Sequence, residues 1–189
     1  KIPNEPGQRF PLDRYPAPTS DALAHVLLEH QVGFVNRFIS ATYRTRSVLA
    51  GAVPEIDKGE VGAFLDGEAH VLARYLLFAD EAKFPAGGIG GDAALKAHFL
   101  GRGHRSSTGL SLRDFDLKTR IFKHRCSYMI HSAAFRGMPK ELKDRVLLRL
   151  GQALDSENPL PDYAYLPASE KRAIRGILRD TLAGLPQGW

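Results

Sequence analysis

Residues 112–139, LRDFDLKTRIFKHRCSYMIHSAAFRGMP, gather the side chains best suited to chemistry. His124, Tyr128 and His131 lie there, together with Cys126, the single cysteine of the chain. Read as a helix, a separation of seven residues puts both imidazoles on one side with the phenol between them. Two turns are too long for one ion to take both nitrogens directly, because ligands from one helix come three or four residues apart. A metal here would need a second helix. Two histidines standing in for aromatic core residues explain the same pattern without chemistry.

Two pairs do have ligand spacing: His25 with Glu29, and Asp66 with His70. Such pairs on two helices are reminiscent of carboxylate-bridged metal bundles, although the usual Glu-x-x-His form is missing. Both lie mostly off the apolar stripes, where solvated ion pairing is the ordinary outcome. His30 instead falls inside the stripe Leu23, Leu27, Phe34, Phe38 and Ala41, as a core histidine satisfied by a neighbour or as a ligand or general base. Glu68 interrupts a second stripe of Val61, Phe64, Leu65, Val71, Leu72, Tyr75 and Ala79, and a carboxylate there needs a partner. An antiparallel hairpin about Pro54 brings Glu68 near Ser40, Tyr43 and Arg44, leaving an internal ion pair or a site carboxylate as its two readings. Cys126 shares its face with Phe122 and Met129, which predicts a buried thiol without reactivity.

The loop 101–109, GRGHRSSTG, carries Arg102, His104 and Arg105 among glycine-freed amides that could hold an anion. It lacks the lysine and the strand-loop-helix setting of a phosphate loop, so a surface turn is the plainer reading. There is no G-x-S-x-G, H-E-x-x-H or dinucleotide fingerprint. Catalysis therefore has no motif, and whether the protein is an enzyme is left open.

The elements that must position these residues are helices. Residues 1–19 hold five prolines and predict an extended arm, followed by a helical domain over 20–189. Ser20 and Asp21 suit the start of a helix running to Leu49, and 60–82 predicts a second. The glycine-rich 85–91 predicts a flexible loop, Asp92 a cap for a helix over 93–100, and Ser111 or Asp114 a cap for a central helix through 112–135. Pro139 opens a helix over 140–154, the proline-rich 158–167 reads as a rigid crossing, and a last helix follows Ser169 and ends near Gly184. No segment alternates as a half-exposed strand does. The expected fold is all-α, a single irregular bundle of about six helices with a Pro-rich N-terminal arm. With 189 residues, 43% apolar and 25% charged, the chain is ordinary for one globular domain. Its net charge of +5 is spread without a basic run, which gives no support to nucleic-acid binding, and no apolar run is long enough to span a bilayer.

The segments LLEHQ (27–31), YLLFADEA (75–82), LRDFDLKTRIFKHRCSYMIHSAAF (112–135) and ILRDTLAGLP (177–186) resemble the C-terminal helical region of a group of uncharacterised bacterial exported proteins often found with c-type cytochromes. The resemblance implies an extracytoplasmic, periplasmic setting. It also implies that the arm joins a missing N-terminal, cytochrome-like part where any haem would be attached. Tyrosines commonly stand in that group where this chain has His124 and His131, whereas Glu29, His30, Gln31 and Cys126 match its pattern. Two functions are therefore expected. The first is a non-catalytic accessory or interaction domain docking onto a redox, cytochrome-type partner. The alternative is an oxidoreductase-type domain holding haem or iron, with His30 as principal ligand, Glu68, His124, Tyr128 and His131 around the cofactor, and His25, Glu29 and His70 as metal ligands.

Overall fold

The computed structural model describes residues 22–189; the N-terminal arm and the expected caps Ser20 and Asp21 lie outside them. Among the described residues there are six α-helices and no sheet: α1 (Ala22–Leu49), α2 (Val61–Leu76), α3 (Ala93–Gly101), α4 (Ala133–Arg136), α5 (Lys140–Ala153) and α6 (Ala168–Thr181). Short 3₁₀ turns occupy Tyr128–His131 and Pro161–Tyr163. Leu23, Leu27, His30, Phe34, Phe38, Ala41, Thr45 and Val48 recur at steps of three and four along α1, and this face is the buried one. Asp57 starts α2 by accepting hydrogen bonds from the Gly59 and Glu60 amides. The two helices run antiparallel, since Arg44 meets Glu68 while His30 meets Tyr75 and Phe78. α2 ends at Leu76, short of the expected 82, because Phe78 takes a left-handed backbone (φ 55°) that a helix cannot continue. Val71, expected to face inward, is 56% exposed.

The largest departure from expectation is the central helix. Residues 112–125 form turns and one isolated antiparallel bridge, Phe115 with Phe122, and a second bridge pairs Arg105 with Ser111 just before them. Helix appears only as the single turn of α4, after the 3₁₀ turn. The reason lies in side chains that compete for the backbone. Asp116 Oδ1 accepts from the Lys118 and Thr119 amides, Asp114 Oδ2 from Ser111, Ser127 Oγ from Met129 and Ser132 Oγ from Phe135. The aspartate bonds close local turns in place of helix bonds, and the two serine bonds cap fresh short turns, so the chain restarts instead of continuing as one helix. Leu117 completes the turn with φ 59°. The 85–91 loop is pinned to this turn, with Phe84 N–H donating to Thr119 O and Ile89 N–H to Leu117 O.

α5 packs chiefly on α2, burying Leu142, Val146, Leu147 and Leu150. Tyr163 in the proline-rich crossing is fully buried and Tyr165 donates to Leu77 O at 3.0 Å, so both tyrosines pack down as expected. α6 buries Ile174, Ile177 and Leu178, and its Glu170 takes Arg125 in a two-pronged ion pair of 2.6 and 3.1 Å while also accepting the Arg125 amide at 2.8 Å. That pair fastens the irregular segment to the last helix, with Glu170 only 9% exposed. α1 carries a second apolar stripe opposite its buried face: Leu28, Val32, Ile39 and Tyr43 are 57, 49, 44 and 65% exposed.

The pinned loop yields a paired test. Gly87 (φ +96°) has open space where a Cβ would stand, whereas a Cβ on Gly88 (φ +72°) would lie 2.1 Å from Leu117 O. Gly87→Ala is expected to cost about 1–2 kcal/mol from backbone strain alone. Gly88→Ala, which must also part the loop from the Leu117 turn, should cost about 3 kcal/mol or more by urea unfolding. Equal effects would show that the loop is not held there.

Candidate functional site

His30 sits where α1, the end of α2 and the irregular segment meet. Its Nε2 lies 2.8 Å from Ser127 Oγ, and its ring stacks on Phe78 (centroids 4.9 Å) and Tyr75 (5.9 Å), with Phe122 and Tyr128 also at 5.9 Å. Tyr75 approaches closely enough to donate to His30 O at 3.1 Å because position 33 is glycine; a Cβ there would lie 2.6 Å from the phenol oxygen. Ser127 is fully buried, donates its amide to Leu76 O at 2.8 Å and accepts from the Met129 amide. Burial lowers the His30 pKa to about 4, so the ring is neutral at physiological pH. Four cavities open on the described residues without His30 in their lining. With one nitrogen taken by Ser127 and rings around it, the geometry fits a satisfied core histidine better than an axial haem ligand.

The other candidates separate. Glu68 pairs with Arg44, at 2.7 and 3.2 Å, as its place in the hairpin led one to expect. Because the central helix does not form, His124, Tyr128 and His131 do not share a helical face. Tyr128 joins the aromatic interior, accepts from Gln31 Nε2 at 2.7 Å and packs edge-on against Phe99. His124 is 6% exposed, its Nε2 has no hydrogen-bond partner, and burial lowers its pKa against the pull of Asp114. His131 meets His104, ring centroids 4.4 Å apart. His25 and Glu29 are exposed on α1. Asp66 bonds to Arg145, and His70 Nδ1 lies 3.1 Å from Arg149 Nη2, so both face α5 rather than one another. Among the described residues no three His, Cys, Asp or Glu side chains converge as a metal site. Cys126 is fully buried and its thiol is pushed up to about 12 by that burial, as an inert thiol should be.

Two contributors escaped sequence reasoning. Ser127 is the hub just described, and its signal was a hydroxyl flanked by two residues already expected to be buried. Arg113 lies over the rings of Phe99 and Tyr128 at 4.6 and 4.5 Å and donates to Phe99 O at 3.2 Å. Nothing in sequence distinguishes it from the other spread arginines, because its aromatic clamp is assembled from α3 and the 3₁₀ turn. An open groove of about 530 Å³ exposes Arg113 together with Arg102, His98, Gln31, Leu28 and Leu95. No family model, curated protein or solved structure matches the chain.

The buried imidazole predicts a pH profile. Folded His30 protonates near 4 and the unfolded ring near 6.5, so the unfolded state binds more protons between these values. Its contribution is present above pH 6.5 and is lost as pH falls toward 4, by about 3 kcal/mol in all. His131, also lowered to about 4 by burial and then by His104, Arg113 and Arg136, adds to the same window. Urea unfolding across this range should therefore show stability falling with acidity, and less steeply in His30→Gln. An unchanged slope in that variant would mean that the ring is solvated.

Proposed function

We propose that this chain is a helical, non-catalytic interaction domain that docks onto an acidic redox partner through the outer face of α1. The observation that carries the reading is the stripe Leu28, Val32, Ile39 and Tyr43, four large side chains 44–65% exposed on a helix whose opposite face is core. A long helix apolar on two faces is poorly suited to water unless something covers the second. Charge describes the partner. Against one exposed carboxylate, Glu29, the same helix exposes Arg46 and Arg37, the latter lying over the Tyr75 ring, and Leu28 leads into the groove where Arg102, Arg113 and His98 stand without a carboxylate in the lining. An apolar surface with an acidic rim complements this face. A cytochrome-type partner and a periplasmic setting come from the sequence resemblance. No helix of the described residues is long and apolar enough to cross a membrane. The sealed position of His30 supports a structural role for it, which leaves the haem- or iron-binding alternative without an observation in its favour.

The test titrates the purified chain with an acidic soluble c-type cytochrome from its native host by calorimetry. Binding should weaken with salt and by about tenfold or more in Val32→Glu/Ile39→Glu. Leu148→Glu, at a residue 55% exposed on α5, should change little. Equal affinity in the double variant would discard the α1 face. A Soret band in the chain purified alone, lost in His30→Ala, would replace this reading with haem binding.

A further inference from the structure

The meeting of His104 and His131 belongs to a small enclosure that shares only Arg113 with the groove beside the docking face. A cavity of about 120 Å³ is lined by His104, Ser111, Arg113, Tyr128, His131 and Ser132 among others. That is room for about four waters, enough for a small polar group and too little for a nucleotide. Its lining holds two imidazoles and a guanidinium and no acidic side chain. Arg113 is held in place by Phe99 and Tyr128 and spends one Nη on Phe99 O; burial works against its charge, Tyr128 favours it and Arg102 opposes it, and no carboxylate is among these influences. The two serines are arranged to give protons. Ser111 Oγ already accepts from the Arg113 amide at 3.2 Å and Ser132 Oγ from the Phe135 amide at 3.3 Å, which leaves each hydroxyl hydrogen to be donated.

We propose that this enclosure binds an oxyanion group, a carboxylate or a phosphate, between Arg113 and the His104–His131 pair, with Ser111 and Ser132 as neutral donors. The chemistry follows from the donor set: planar guanidinium, two ring N–H groups and two hydroxyls suit an acceptor-only ligand, whereas a cation would meet like charge. A second cavity of about 290 Å³ shares His104 and His131 and is otherwise lined largely by apolar side chains such as Phe135, Leu147 and Leu182, so a carboxylate bearing a short apolar chain has somewhere to place it.

The charges around the pair set the pH dependence. From the 3₁₀ turn and α4 comes Arg136, whose guanidinium donates to His131 O; from α5 comes Lys143; from α6 comes Thr181, its hydroxyl 3.5 Å from His131 Nε2. Of the acidic groups beside the pair, Asp114 is engaged by the Ser111 amide and by Arg105 at 3.5 Å, and Asp180 of α6 by the Ser107 amide and hydroxyl at 2.7 Å. Burial first, and then His104, Arg113 and Arg136, resist protonation of His131, and an anion offsets the part that comes from like charge. Binding takes up a proton and tightens as pH falls.

Inorganic phosphate and butyrate, each titrated at matched ionic strength in chloride, supply the test, read by imidazole NMR shifts and calorimetry at neutral pH and at about pH 6. At least one of the two should bind, more tightly at the lower pH, and butyrate binding better than acetate would assign the second cavity to the apolar chain. Arg113→Gln should weaken binding about tenfold or more. Should that variant not fold, the exposed His104→Gln keeps the question answerable, with a loss of at least severalfold and of the pH dependence. His98→Gln, on the other groove, should leave binding unchanged. No saturable shift with either anion, or equal affinity in His104→Gln and the parent, would overturn the proposal.

Discussion

Ser127 is the point on which the architecture turns. Its amide bonds to the last carbonyl region of α2 through Leu76 O, its hydroxyl faces His30 of α1, and the same oxygen accepts the Met129 amide that starts the 3₁₀ turn. Three elements distant in sequence are thus fixed by one fully buried residue. A buried hydroxyl must find partners or cost about 1–3 kcal/mol, and here each partner belongs to a different element, so satisfying the residue is the same act as assembling the junction. The rings of Phe78, Tyr75, Phe122 and Tyr128 then close around His30 and hold it neutral.

Beyond that junction, polar groups divide into those that compensate one another and those that do not. Arg125 and Glu170 satisfy each other at low exposure, with Glu170 held below its usual range despite burial, by Arg125 side-chain and backbone donors and by Arg120. Arg44 also pairs with Glu68 at the hairpin, with Arg44 half exposed. Arg113, His104 and His131 have no such counterpart and share one cavity. The compensated pairs hold elements together; the uncompensated set lines one cavity, which meets the groove beside the α1 face at Arg113.

The helices that pack by a single periodic stripe were legible residue by residue. α1, α5 and α6 follow their apolar spacing, Asp92 caps α3 through the Leu95 amide, and the Arg44–Glu68 pair follows from the register of a hairpin. The segment 112–135 departs from its periodicity: its apolar residues do recur at three and four, yet Asp114, Asp116, Ser127 and Ser132 redirect the backbone amides locally. Periodicity reports which side chains are buried, not which hydrogen bonds the backbone makes. Ile121, Phe122, Cys126, Tyr128 and Ile130 are indeed buried, although no helix carries them.

By itself, then, the sequence determined the helical class, the limits of most helices and the burial of His30 and Cys126, since these depend on local propensity and on the apolar pattern along a few turns. Tertiary structure alone decided who meets whom: Ser127 with His30 across 97 residues, His104 with His131, and Arg113 with the rings of Phe99 and Tyr128. Those meetings arise where irregular chain crosses between helices. Their geometry is set by hydrogen bonds and packing between segments far apart in sequence, and no spacing within one segment encodes them.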